Sequence, residues 1–90
     1  VTDNMEVTSG TVVISAAGHD KDSWFVVTGA DGGFAFIADG KERKLASPKK
    51  KNLKHIRKTD SVINVDGLTD KKLRSALRAL SAQSIAEESE

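Results

Sequence analysis

Three short runs of β-branched and aromatic residues stand close together in the first half of this chain, with glycine-containing segments between them. The runs occupy residues 11–15 (TVVIS), 24–28 (WFVVT) and 34–38 (FAFIA). Such side chains favour extended structure, and glycine supplies the positive φ values that tight turns need. We therefore predict three strands, a polar loop before the second, and tight turns at residues 29–33 and 39–40.

Two further strands are predicted, one before the only proline, Pro48, and one well after it. Residues 41–47 are expected to form a charged edge strand that ends at this proline, and residues 61–65 a short fifth strand. Ninety residues make one small domain, in which closely spaced strands bury their apolar side chains best by curling into a barrel. The predicted fold is mainly β, with a flexible lead at residues 1–5 and a five-stranded barrel at residues 6–67.

The last predicted element is an amphipathic helix from residue 70 to about residue 83. Thr69 is a good N-cap, and Leu68 can pack on Leu73 as a hydrophobic staple. The apolar positions recur at three- and four-residue spacing: Leu73, Ala76, Leu77 and Leu80. The opposite face carries the cations Lys71, Arg74 and Arg78, a secondary basic face. Glutamates near the end oppose the helix dipole, so residues 68–84 are assigned to the helix and residues 85–90 to a frayed acidic tail.

Positive charge is concentrated in residues 41–58. This basic segment holds nine basic residues and one acidic residue, a formal charge of +8, whereas the remaining five basic and twelve acidic residues sum to −7. A local field of this kind suits a polyanion such as nucleic acid. The alternative is a solvated lysine-rich loop that binds nothing. The nine cations are Lys41, Arg43, Lys44, Lys49, Lys50, Lys51, Lys54, Arg57 and Lys58.

The residues that usually carry catalysis or metal binding do not form recognisable patterns. The chain has no cysteine, and its two histidines, His19 and His55, stand apart without ligands at metal-site spacing. No lysine–serine pair follows the glycines, as a phosphate-binding loop requires. We expect a non-catalytic protein with no cofactor, no metal and no small-molecule substrate. No run is long enough to span a membrane, and we expect a cytoplasmic location with no membrane partner.

The four aromatic residues, Trp24, Phe25, Phe34 and Phe36, all fall in apolar strands. Stacking on nucleic-acid bases needs exposed aromatic rings. The pattern therefore favours core packing for all four, and any RNA contact is expected to involve phosphates rather than bases.

Residues 10–27 (GTVVISAAGHDKDSWFVV) combine a glycine, alternating apolar residues, a Gly-x-Asp-Lys loop and a second apolar strand. This segment resembles the KOW motif. The following FAFIADG at residues 34–40 and the basic run through PKKK at residues 48–51 strengthen the likeness. Residues 7–57, and more weakly the C-terminal helix, resemble bacterial KOW-domain proteins related to large-subunit ribosomal proteins of the fourteen-e class.

The resemblance implies an SH3-like barrel that binds ribosomal RNA. By position it assigns RNA contacts to His19 and Lys21 in the KOW loop, and to Arg43, Lys44, Lys49, Lys50, Lys51, Lys54 and His55 after it. The family usually has glycine directly after the Asp-Lys pair, where this chain has Asp22. With Arg57 and Lys58 added from the charge run, the leading hypothesis is a monomeric RNA-binding module associated with ribosomal RNA or the ribosome. The alternative is an SH3-like protein-interaction module of the transcription or translation machinery.

Overall fold

The chain folds into a five-stranded antiparallel sheet followed by one C-terminal helix, which confirms the mainly β prediction. The structure, a computed structural model, describes the backbone of residues 7–88 and the side chains through residue 83. The elements are β1 (Thr11–Ser15), β2 (Trp24–Asp31), β3 (Phe34–Ala38), β4 (Lys49–Asn52), β5 (Ile56–Val62) and α1 (Asp70–Glu88). A 3₁₀ turn, Leu53–His55, joins β4 to β5. The strand order is β4-β3-β2-β1-β5, so β4 and β5 are the edges.

The β2–β3 hairpin turns on Gly32 and Gly33 alone, so β2 is longer than predicted. Asp31 pairs with Phe34 across the turn. The φ angles of the two glycines are 53° and 92°, and a two-residue turn with both angles positive matches the twist of the strands it joins. Gly29, predicted in the turn, instead lies in β2 beside an irregularity in the register.

Successive residues of the central strands point to opposite faces of the sheet, and both faces are covered. One face forms the inner cluster, which the structure builds from Val7, Val13, Phe25, Val27, Ala35, Ile37 and Ile56, with Leu53 packed against it. The other face forms the helix-side cluster, in which Val12, Val26 and Ala38 contact Leu73 and Leu77 of α1. Burial on both faces explains why β2 and β3 are apolar without alternation. Phe25 is buried as predicted, whereas Trp24, Phe34 and Phe36 are only half-buried.

The helix begins where the sequence predicts. The Thr69 hydroxyl accepts a hydrogen bond from Lys72 N at 3.2 Å, which is N-cap geometry, and Leu68 and Leu73 share the helix-side cluster. The helix extends to Glu88, past the predicted end near Gln83 and into the segment assigned to the acidic tail. No helix in the described part of the chain is long and apolar enough to cross a membrane. The predicted lead at residues 1–5, and the last two residues of the predicted tail, lie outside the described residues.

The predicted fourth strand at residues 41–47 is wrong, because this segment belongs to a loop that runs from residue 39 to residue 48. Asp39 Oδ1 accepts hydrogen bonds from Lys41 N and Arg43 N, both at 2.9 Å. A side chain that binds nearby backbone N–H groups competes with strand pairing. Strand β4 follows Pro48 instead of ending at it, in a position that proline tolerates.

The predicted fifth strand at residues 61–65 is displaced in the sequence. Strand β5 is Ile56–Val62, so it begins five residues before the predicted strand and ends within it. Ile63 and Val65 pack against the helix-side cluster outside any strand. Their apolar spacing therefore reflects packing on this cluster rather than pairing in the sheet.

Candidate nucleic-acid interface

The nine cations of the basic segment are divided among the β3–β4 loop, β4, the 3₁₀ turn and β5. Seven of them are exposed to solvent, whereas Lys49 is half-buried and Lys51 is only 8% exposed. The remaining residues predicted to bind RNA, His19, Lys21 and His55, are also exposed. The structure thus separates two lysines from the others by their surroundings.

Those two lysines are held by Asp20 in the β1–β2 loop (residues 16–23). Lys51 Nζ lies 3.0 Å from Asp20 Oδ1 and donates to Ala17 O at 2.9 Å, and Lys49 Nζ lies 3.2 Å from Asp20 Oδ2. The buried Ser15 hydroxyl donates to Asp20 Oδ1 at 2.8 Å. The Asp20 cluster, which consists of Ser15, Asp20, Lys49 and Lys51, contains the only ion pairs among the side chains of residues 7–83.

The electrostatics of the Asp20 cluster favour the ionised carboxylate. Burial by itself would raise the pKa of Asp20, but hydrogen bonds from Ser15, Lys51 and Lys49 outweigh it and hold the pKa below its ordinary value of 3.8. The side chains of Asp20 and Lys51 are only 19% and 9% exposed, so the pair is largely shielded from water. The cluster therefore joins the β1–β2 loop to β4, and Lys51 acts mainly in that connection.

The β1–β2 loop has a second connection and one unusual backbone angle. Ala16 N donates to His55 O at 2.8 Å, which joins the loop to the 3₁₀ turn. Asp22 has φ of +73° and is the only non-glycine residue with positive φ in the described part of the chain. Its N–H donates to Ser15 O at 2.7 Å. The exposed His19 and Lys21 thus lie on a loop whose backbone is held at both ends.

A cleft of about 290 Å³ separates the β1–β2 loop from the start of the β3–β4 loop. It brings together three residues predicted to bind RNA, namely His19, Arg43 and Lys49. Its acidic lining residues are Asp20, Asp39 and Glu42. Two of these carboxylates already accept hydrogen bonds, Asp20 from its cluster and Asp39 from backbone N–H groups.

The β3–β4 loop packs against the first turns of α1. The Asp70 carboxylate accepts a hydrogen bond from Leu45 N at 2.8 Å, and Arg74 Nη1 donates to Gly40 O at 2.6 Å. This contact brings the loop cations close to the secondary basic face predicted on the helix. We call the combined set the loop–helix surface; its exposed cations are Lys41, Arg43, Lys44, Lys71, Arg74 and Arg78.

The other predicted residues lie elsewhere. Lys50 alternates to the opposite face of β4 from Lys49 and Lys51, and its Nζ lies 4.5 Å from the centre of the Phe34 ring. Arg57 and Lys58 lie on β5, at the other edge of the sheet, opposite Ile14 and Val13. Lys54 and His55 occupy the 3₁₀ turn. The basic segment is therefore not one continuous surface.

No sequence pattern identified Asp20 as a partner of the lysines. Asp20 and Lys51 are 31 positions apart, and no local pattern relates them. The only local signal was the position of Asp20 in the Gly-x-Asp-Lys segment at residues 18–21, which predicts a loop but does not indicate which lysines the carboxylate contacts. Asp39 was predicted to lie in a tight turn, because Asp-Gly pairs commonly form turns, and its side chain instead organises the longer β3–β4 loop.

No protein-family model matches the chain, and no curated protein matches it significantly. No group of three or more potential metal ligands occurs among the residues that the structure describes. The likeness to KOW proteins therefore rests on the sequence motif alone.

Proposed function

We propose that this protein is a non-catalytic, cytoplasmic RNA-binding module, associated with ribosomal RNA or the ribosome and folded as an SH3-like KOW barrel. The observation that carries the proposal is the exposure of seven of the nine cations in the basic segment, beside two lysines that an aspartate holds in place. Exposed cations on an anchored backbone neutralise phosphates and release counterions, and the strands and loops that carry the cations determine the shape of the surface.

The connection between the edge strands supports a barrel. Neighbouring strands lie about 4.8 Å apart, so a flat five-stranded sheet would separate its edges by about 19 Å. Three residues join β4 to β5, and the four steps from Asn52 to Ile56 span at most about 15 Å even when fully extended. The sheet must therefore curl, and Leu53 in this connection packs on the inner cluster.

The backbone of Asp22 supports the KOW likeness. This residue stands where the family usually has glycine, and it adopts the left-handed conformation that favours glycine. Aspartate is one of the few other residues that enter this region readily. Asp22 therefore differs from the motif in residue type but keeps the backbone conformation that glycine would adopt there.

The loop–helix surface is the main proposed phosphate-binding region. The β3–β4 loop is held by backbone hydrogen bonds to Asp39 and Asp70, which leaves the side chains of Lys41, Arg43 and Lys44 exposed. If five to seven cations contact phosphates, a plot of the logarithm of the binding constant against the logarithm of the salt concentration has a slope of roughly −4 to −6.

The test measures binding of a fluorescently labelled ribosomal RNA fragment by anisotropy over a series of salt concentrations. The triple variant Lys41→Gln/Arg43→Gln/Lys44→Gln should flatten the slope by about 2–3 units, and thermal melting should remain unchanged because the loop is anchored through its backbone. Lys72→Gln, an exposed lysine outside the loop–helix surface, is the control and should leave the slope within measurement error.

Three outcomes would contradict the proposal. An unchanged slope in the triple variant would exclude the loop–helix surface as the main contact. Strong binding of an acidic polypeptide that RNA displaces poorly would favour the alternative, a protein-interaction module. Absence of retention on heparin at low salt would show that the cations are only solvated.

A further inference from the structure

A second groove lies on the outer side of the sheet, between β1, β5 and the C-terminal half of α1. It has a volume of about 460 Å³, within the range of about 300–1,000 Å³ typical of small-ligand sites. It is separate from the cleft at the β1–β2 loop, since the two share no lining residue. The groove is lined by Ile14, Trp24, Leu80, Thr59, Asp60, Ser61 and Gln83.

Trp24 gives this groove its chemistry. The side chain packs against the helix-side cluster, as expected of a core residue, but it is only half-buried and its accessible part lines the groove. Ile14 and Leu80 extend the apolar wall, and Ser61 and Gln83 add a hydroxyl and an amide at the rim. An aromatic wall with hydrogen-bonding groups at its edge suits a flat heteroaromatic ring.

The strand register adds a cation to this groove. Ile14 pairs with Trp24 on one side and with Arg57 on the other, so the three residues form a row across β2, β1 and β5 on one face of the sheet. Two strand spacings put the backbone of Arg57 about 10 Å from that of Trp24. Arg57 is exposed, so a positive charge flanks the apolar wall, and Asp60 adds a carboxylate to the lining. Lys58 alternates to the other face of β5, opposite Val13.

We propose that this groove binds one unpaired base of a single-stranded RNA segment, with the base against Trp24 and its phosphate beside Arg57. The inference rests on the proposed RNA-binding function and adds a second contact to the loop–helix surface. The charge complementarity is local: the base enters the apolar part, and the phosphate stays outside, where the cation lies. A double-stranded RNA cannot place a base there unless the base leaves its stack.

The fluorescence of the protein tests this proposal directly, because Trp24 is its only tryptophan. A short oligouridylate is titrated in parallel with an abasic oligoribonucleotide that has the same length and the same phosphates. Oligouridylate should quench Trp24 fluorescence over the concentration range in which anisotropy shows binding. The abasic strand should bind more weakly and leave the fluorescence unchanged.

Variants separate stacking from folding. Trp24→Phe keeps an aromatic wall and should retain most of the affinity for oligouridylate, whereas Trp24→Leu keeps an apolar side chain without a π-face and should weaken binding by about 5–150-fold. Arg57→Gln should weaken oligouridylate binding and reduce quenching at a fixed concentration. Lys72→Gln serves again as the control, and circular dichroism checks that each variant is folded.

The possible results distinguish this inference from the proposed function. Oligouridylate that binds by anisotropy without quenching Trp24, or an abasic strand that quenches equally, would overturn the base-binding groove and leave phosphate binding intact. Equal affinities of the two Trp24 variants would also overturn the groove. Failure of every RNA to bind would overturn the proposed function and the groove together.

Discussion

Replacing Asp20 with asparagine should destabilise the protein strongly, because it leaves a shielded lysine without its counter-charge. The Lys51 side chain is 9% exposed and its Nζ lies 3.0 Å from Asp20 Oδ1. Removing one partner of a buried pair costs about 3–5 kcal/mol. We expect a loss of about 3 kcal/mol, at the low end, because Lys51 keeps its bond to Ala17 O. Lys49 adds little, since its side chain is 31% exposed.

This loss is large for a domain of 90 residues. Domains gain about 0.05–0.15 kcal/mol of stability per residue, so the total here is about 5–13 kcal/mol. A loss of about 3 kcal/mol should lower the melting temperature by about 12–24 °C. Urea titration followed by Trp24 fluorescence measures the free energy of unfolding, and circular dichroism measures the melting temperature.

The double variant Asp20→Asn/Lys51→Met tests the mechanism. Removing both charges replaces the pair with neutral groups of similar size, so much of the lost stability should return. Asp31→Asn, at the exposed end of β2, is the matched control and should stay within about 0.5 kcal/mol of the wild type. A cost below about 0.5 kcal/mol for Asp20→Asn, or a double variant no more stable than the single one, would refute the reasoning.

The stabilisation lost in Asp20→Asn should depend on pH. The pKa of Asp20 lies below its ordinary value of 3.8 in the folded protein, because the hydrogen bonds from Ser15, Lys51 and Lys49 overcome the effect of burial. A lowered carboxyl pKa stabilises the fold above the unfolded-state pKa, and this stabilisation is lost as the pH falls toward the folded-state pKa. The difference in unfolding free energy between the wild type and Asp20→Asn should therefore be constant near neutral pH and shrink below about pH 4.

Two further predictions concern left-handed backbone positions. At Asp22, with φ of +73°, Asp22→Gly should be neutral or stabilise the fold by up to about 1 kcal/mol, whereas Asp22→Ala should cost about 1 kcal/mol. At the exposed neighbour Ser23, the control position, alanine should be the better replacement. Equal urea midpoints for the two Asp22 variants would contradict this reasoning. At Gly40, with φ of +79°, a Cβ atom would collide with the Asp70 carbonyl oxygen, so Gly40→Ala should cost about 2–4 kcal/mol. Gly32→Ala, which has positive φ but open space, should cost only about 1 kcal/mol, and similar melting temperatures for the two alanine variants would exclude the contact with α1.

Local features of the fold follow directly from the sequence. The β2–β3 hairpin, the N-cap at Thr69 and the apolar positions of α1 depend on neighbouring residues, and the structure confirms all three. The larger errors lie in residues 41–47 and 61–65, where backbone and side-chain groups interact with distant elements. Leu45 N binds Asp70, 25 positions away, and Ile63 packs on the helix-side cluster. Neither contact is visible in a pattern that spans a few residues.

The candidate site divides in the same way. The sequence by itself determined that residues 41–58 hold a charge of +8, because formal charge depends only on residue type. Only the tertiary structure decided which of those charges face solvent, because this depends on what lies across the fold. In the run of three lysines, Lys51 is buried against Asp20 while Lys50 is exposed over Phe34. Strand alternation turns neighbouring lysines to opposite faces, and an aspartate 31 positions away binds the one that turns inward.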